Sequence, residues 1–280
     1  MEKTNELKRK AAQIRIDVLD ATYKANSGYV GSCMSVVEIL TALYYGKING
    51  SPVMDFDPMK PRGGDHDYFV LSKGHAVAVQ YAILADLGFF DKAELDYFCK
   101  PGAMLKKRPC VKVPGVDAPV LSYGHGLSFA LGFALALKAD RKDKRVFTVL
   151  GDGELTCGQV WEAAAAASRY KLNNLIAFVD NNKVGGEDVV DLGFIQDKFE
   201  AFGWQVIQVT DGHDFDKILD AVSKAFTSNR KPVCVWCHTV AGKGIEFAER
   251  KPSYQWAGLS EEEMSIVIPK LKMLHEEFTS

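Results

Sequence analysis

Two polar residues stand where two apolar runs end. Val146-Phe147-Thr148-Val149-Leu150 leads straight into Gly151-Asp152-Gly153-Glu154, and Ile176-Ala177-Phe178-Val179 leads into Asp180-Asn181-Asn182-Lys183. Between Gly153 and Asn181 lie 27 residues, room for a loop, a helix and a strand, which is one βαβ crossover. That spacing predicts two adjacent parallel strands, with Asp152 and Asn182 at their carboxyl ends, where open α/β sheets bind ligands. A carboxylate and an amide oxygen are hard donors suited to Mg²⁺. Glycines let the backbone approach closely, and a helix N-terminus downstream favours an anion. The chemistry this predicts is a divalent cation holding a phosphate. The competing reading is two ordinary turns, since these residue types are common in turns.

The elements needed to position such a site are legible on both sides of it. Helical spacing of apolar residues runs over Glu6–Asn26 and Val36–Tyr45, and again over Ala76–Leu87, Leu127–Lys138, Gly158–Arg169, Ile195–Phe202 and Phe215–Phe226. Short apolar runs at Tyr68–Leu71, Arg145–Leu150, Leu175–Val179, Gln205–Val209 and Pro232–Trp236 read as strands. Cys99–Val120 is basic, rich in proline and loop-like, and Leu259–Phe278 reads as an amphipathic helix. The alternation predicts an α/β fold: one parallel sheet with helices on both faces, in a single domain spanning residues 1–280.

Composition agrees with a globular chain. The 280 residues carry 34 Lys+Arg and 36 Asp+Glu, a formal charge of −2, and 47% are hydrophobic. That is too apolar for a disordered chain and too neutral for a dedicated nucleic-acid binder. The charged start, Met1–Lys10, does not read as a secretory signal, and no apolar stretch is long enough for a bilayer span. A cytoplasmic location is expected, with the six cysteines mostly reduced. Cys234-Val235-Trp236-Cys237-His238 matches a haem-attachment pattern by letters. It sits in a predicted core strand, however, where residues three apart face opposite sides.

The Gly151-Asp152-Gly153 to Asn181-Asn182 spacing resembles the thiamine diphosphate motif, and the surrounding text resembles transketolases. Leu71-Ser72-Lys73-Gly74-His75-Ala76 precedes the motif, Glu154 to Ala163 follows it, and Thr239-Val240-Ala241-Gly242-Lys243-Gly244 comes later. The resemblance runs from about residue 8 to about residue 260 and covers the family's diphosphate-binding domain alone. It implies the N-terminal subunit of a split transketolase, a transferase of two-carbon ketol units in carbohydrate metabolism. The pyrimidine-binding domain would sit on a C-terminal partner subunit in an α₂β₂ heterotetramer. Implied cofactors are thiamine diphosphate and Mg²⁺ (or Ca²⁺ or Mn²⁺). By the same resemblance Asp152, Asn182 and the Val184 carbonyl hold the metal. Gly151, Gly153, Glu154, Asn182 and Lys243 border the diphosphate, and Leu121, Ser122 and Tyr123 lie along the cofactor. His75 lies near the diphosphate and the reacting carbon, Glu162 stands at the subunit interface, and Gly242-Lys243-Gly244 is a loop over the site.

The sequence departs from the family around the substrate. Gly28-Tyr29-Val30-Gly31, Lys107-Arg108-Pro109 and Trp256-Ala257-Gly258 stand where the family carries histidines, and Cys157 stands for a usual glutamate. Of the substrate histidines His75 remains, and His125 is the candidate replacement, its alternative being a helix-start residue. Loss of groups that hydrogen-bond donor hydroxyls implies a donor without a C1 hydroxyl, such as pyruvate or another 2-oxoacid, or a specialised acceptor. Lys106, Lys107 and Arg108 would then meet a phosphate or carboxylate, or else form a solvated loop. A 2-oxoacid dehydrogenase E1-type subunit and a non-catalytic binding subunit are the rival functions.

Overall fold

The fold is taken from a computed structural model, which describes residues 2–61, 65–184 and 195–278. In chain order the elements are α1 (Glu2–Lys24), α2 (Val30–Met34), α3 (Val37–Tyr45), β1 (Lys47–Ile48), β2 (Ser51–Pro52), β3 (Tyr68–Leu71), α4 (Val77–Asp86), α5 (His125–Ala139), β4 (Val146–Gly151), α6 (Gly158–Arg169), β5 (Leu175–Asn181), α7 (Ile195–Ala201), β6 (Gln205–Val209), α8 (Phe215–Phe226), β7 (Val233–His238) and α9 (Glu261–Glu277). β1 and β2 form a small antiparallel hairpin, and the other five strands form one parallel sheet in the order β3-β4-β5-β7-β6. β3 and β4 are buried almost throughout, as expected of strands covered on both faces.

The two faces bury two cores. One gathers Phe69, Phe147, Val149, Ile176, Phe178 and Val235 under α1, α3, α4 and α8. The other gathers Val70, Leu150, Ala177, Val179 and Cys234 under α5, α6 and α7. Cys234 and Cys237 fall into different cores, so the Cys-x-x-Cys-His run is a strand crossing the sheet with its thiols on opposite faces. α9 is N-capped by Ser260, whose backbone N–H donates to Glu263 Oε2 at 2.7 Å, and packs along α1.

The parallel register brings the functional segments to one edge. Gly151 pairs with Asp180 and Asn181 pairs with His238, so Asp152, Asn182 and Thr239 leave the sheet side by side. β3 ends beside them, with Lys73 N–H donating to Val149 C=O at 2.9 Å. α5 starts against the end of β3 at Gly126. A Cβ there would stand 2.3 Å from Ser72 Cβ and 2.5 Å from its Cα, an approach that only glycine permits.

Candidate active site

At the centre of this edge is Asp180, fully buried. Its carboxylate is paired with the Lys73 ammonium and accepts from Ser35 Oγ at 2.8 Å, from the Thr239 hydroxyl and from Asn182 Nδ2 at 3.0 Å. Lys73 Nζ also donates to Ser35 Oγ at 2.9 Å. A buried charge needs a partner and hydrogen bonds to be tolerated, and Asp180 has both. The result is a fixed Asn182. Its nitrogen is held by Asp180, which leaves Oδ1 as the atom able to meet a cation, while it also accepts from Val184 N–H at 2.9 Å.

Asp152 lies across from it. Oδ1 accepts from Gly153 N–H at 2.8 Å and Oδ2 from Lys183 N–H at 2.8 Å. Burial, with the negative Asp180 nearby, pushes its carboxyl up to about 6 against the pull of Lys73. A carboxylate so raised gains from a cation. Glu154 follows one turn on. Its oxygens accept from Ser72 Oγ at 2.5 Å, Gly124 N–H at 2.9 Å and Gly151 N–H at 2.8 Å. It clamps the ends of β3 and β4 to the start of α5.

Val184 is buried, and its carbonyl accepts from Gln255 Nε2 at a long 3.4 Å. Gln255 Oε1 is buried with no partner among the described residues. No described group of three His, Cys, Asp or Glu side chains is placed to hold a metal by itself. The donor set of Asp152, Asn182 and a backbone carbonyl is all oxygen and incomplete. It suits a hard cation that takes its remaining ligands from a diphosphate. The residues present therefore fit magnesium diphosphate.

Beside this edge opens a cavity of about 250 Å³, lined by Ser72, Gly74, His75, Arg108, Leu121, Ser122 and Tyr123 among others. His75 is 6% exposed. Rings of Tyr29, Trp256 and Tyr123 surround it at centroid distances of 4.4, 4.9 and 5.4 Å. Arg108 Nη2 donates to its Nε2 at 2.8 Å, so the ring proton is on Nδ1, 3.3 Å from the Tyr123 hydroxyl. Burial, Arg108 and Lys73 together lower the imidazole to about 4, which keeps it neutral at physiological pH.

Among the expected site residues, Asp152, Asn182, Val184, Gly151 and Gly153 meet at the sheet edge, and His75, Leu121, Ser122 and Tyr123 meet at the cavity. Three stand apart. His125 is exposed at the first turn of α5, and Glu162 is exposed on α6. The Lys243 ammonium is 3.7 Å from Glu249, beside a different hollow lined by α1 and α9 residues. Its loop is tied down by backbone, with Gly242 N–H donating to Gly31 C=O at 3.0 Å and Arg15 Nε to Lys243 C=O at 3.1 Å. Lys73, Asp180, Ser35 and Gln255 are the residues sequence reasoning missed. Lys73 and Asp180 lie inside the quoted motifs, whereas Ser35 and Gln255 carry no local signal.

Comparison with known proteins decides the family. The thiamine diphosphate binding domain of transketolase matches residues 7–279. The chain belongs to the transketolase family. It is 35% identical over 236 residues to an apulose-4-phosphate transketolase subunit of Phocaeicola vulgatus, covering 83% of this chain and 82% of that one. It is 37% identical over 272 residues to the 6-deoxy-6-sulfo-D-fructose transketolase subunit SqwG of a Clostridium species, covering 95% and 96%. Human transketolase is 38% identical over 258 residues, but these make up 40% of its length. The fold superposes on transketolase from Campylobacter jejuni with a TM-score of 0.87 at 26% identity, covering 98% of this chain and 45% of that one. Thiamine diphosphate is accordingly the cofactor of the domain.

Proposed function

We propose that this chain is the diphosphate-binding half of a two-chain transketolase that moves a two-carbon ketol unit between sugar phosphates. The observation that carries the reading is the oxygen-only donor set of Asp152 and Asn182 on paired strand ends, with Asp180 fixing the asparagine. The names of the two subunit relatives support a separate partner chain. That partner would bring the pyrimidine-binding domain, in an assembly of two copies of each chain.

In this reading Asp152, Asn182 and the Val184 carbonyl hold Mg²⁺, and the Gly153 amide meets the diphosphate. Bound thiamine diphosphate supplies the carbanion chemistry. Neutral His75 stands near the reacting carbon with Nε2 taken by Arg108, and its Nδ1 proton meets a substrate oxygen by exchanging it for the Tyr123 hydroxyl 3.3 Å away. Leu121, Ser122 and Tyr123 line the cofactor's path.

A second reading has one observation behind it. Tyr29, Arg108 and Trp256 occupy the wall around His75 where polyol-binding histidines are expected in the family. Such a wall favours an acetyl donor such as pyruvate. The test is to mix this chain with its partner subunit, thiamine diphosphate and Mg²⁺, and to follow ketose phosphate consumption and CO₂ release from pyruvate. Consumption of ketose phosphate, slowed about 100-fold or more in Asp152→Ala, as expected when a metal ligand with its bound cofactor is lost, supports ketol transfer. Turnover of pyruvate alone replaces it with acetyl transfer. Full activity of this chain without a partner overturns the two-chain assembly.

A further inference from the structure

Arg108 has no counterpart in the diphosphate site and needs its own account. It is a half-buried guanidinium on the long loop between α4 and α5, with Cδ close over the backbone at Gly74. Of its five N–H groups, one donates to His75 Nε2 at 2.8 Å and one to the Lys107 carbonyl at 3.2 Å. Its carbon stands over the Tyr29 ring, 5.4 Å from the centroid. Among the described residues no carboxylate lies within 4.0 Å of it, whereas Arg15, another inward-facing guanidinium, is paired with buried Glu38 at 2.7 Å. Arg108 therefore reaches the cavity as a held, uncompensated cation with donors to spare. The Ser122 and Tyr123 side chains border the same cavity. Lys106 and Lys107, both exposed, add positive charge on its outer side.

A planar guanidinium held beside an aromatic ring, with three of its five N–H groups still uncommitted, can grip an oxyanion by paired hydrogen bonds. Its neighbour His75 is a neutral acceptor of its proton, so the two do not repel. The surrounding Tyr29 and Trp256 rings lower the local dielectric, which strengthens any charge pairing made there. A substrate whose nearby group is a neutral hydroxyl would leave this half-buried cation without an anionic partner, which disfavours it relative to an anionic one.

We propose that Arg108 is a specificity-determining residue that reads an oxyanion on the substrate, a carboxylate or a phosphate, directly beside His75. The proposal rests on the transketolase reading of the site and names the substrate class that this site accepts. The two sources of the anion differ in place. A 2-oxoacid carries its carboxylate on the reacting carbonyl, and a sugar phosphate carries its charge at the far end of the chain.

The experiment uses the assembled two-chain enzyme with thiamine diphosphate and Mg²⁺, comparing the unaltered chain with Arg108→Gln and Arg108→Lys. Calorimetry with oxamate and with inorganic phosphate reads the anion site without turnover. Steady-state kinetics with pyruvate, a ketose phosphate and the matching unphosphorylated ketose read selection. Arg108→Gln is expected to weaken anion binding about tenfold or more, and to cut the preference for the anionic over the neutral donor by about the same factor, mainly through KM. Arg108→Lys is expected to recover part of both, since it restores charge but not the fork. Loss confined to oxamate and pyruvate assigns the carboxylate, and loss confined to phosphate and ketose phosphate assigns the phosphate. Equal losses with anionic and neutral donors, or unchanged binding of both anions, overturn the proposal. An assembly that binds anions through Arg108 yet turns over no donor would count against the transketolase reading and not against Arg108.

Discussion

His75 is held neutral by burial and by two cations, Arg108 and Lys73, and it is lowered from 6.5 to about 4. Removing one of those cations has a sign. In Arg108→Gln the imidazole is expected to titrate at higher pH than in the unaltered chain, read from its ring proton shifts by NMR. The same depression links folding to pH. Between about 4 and 6.5 the unfolded chain binds this proton and the folded chain does not, so this contribution is present above 6.5 and is lost as pH falls toward 4. Identical titration of His75 in the two chains would contradict the arrangement. The sequence announces the residues proposed to meet ligand here, because Asp152, Asn182 and His75 sit at strand ends inside recognisable runs. It hides the residues that hold them. Ser35 reaches Asp180 across 145 positions, and Gln255 reaches Val184 across 71. Such contacts depend on how helices pack, and nothing local records them. Glu154, expected beside the diphosphate, shows the same: its place next to the motif is legible, but the donors from three separate segments that meet its oxygens are not.

Helices and strands are the more legible level, and β3, β6, α6 and α8 coincide with their predicted ranges. Periodicity and apolar runs decide such elements when the strands are covered on both faces. What escapes are pieces too short to show a period: α2, five residues long, and the two-residue strands of the β1–β2 hairpin. Two contacts between elements carry measurable weight. Gly126→Ala forces a methyl into Ser72 at the junction of α5 and β3, and should cost about 1–3 kcal/mol by overpacking. Thermal unfolding reads this, and an unshifted midpoint would show that the junction yields. Glu38 is buried between α3 and α1. Burial would raise its carboxyl, but Arg15 and His213 outweigh that and hold it at about 2. Arg15→Met should therefore cost about 3–5 kcal/mol by stranding the charge, and Arg15→Met with Glu38→Leu should cost less than the single change. Equal losses would mean that packing, not charge, holds α1 to α3. The stability due to this carboxylate is present above 4.5 and is lost as pH falls toward 2.

For the molecule as a whole, the comparisons show a domain that corresponds to 40% of human transketolase. In the described residues no helix is long and apolar enough to cross a membrane. Light scattering on this chain mixed with its partner is expected to give the mass of two copies of each chain. Thiamine diphosphate with Mg²⁺ should raise the unfolding midpoint of that assembly, because ligand that binds only the folded state stabilises it. Asp152→Ala should abolish most of the shift. A shift of equal size in the variant would remove Asp152 from the metal site. The buried cluster on Asp180 also divides the molecule into parts that can vary and parts that cannot. Four segments, at Ser35, Lys73, Asn182 and Thr239, converge on one carboxylate. Altering any of them leaves a buried group without its partner, so single substitutions there meet a stability barrier before they can change substrate choice. Tyr29, Arg108 and Trp256 bond to none of the groups on Asp180. They pack around His75, apart from Asp180 and its partners, so exchanging one of them leaves the buried carboxylate's bonds in place. New substrates can thus be acquired there by single steps, while the grip on the cofactor stays as it was.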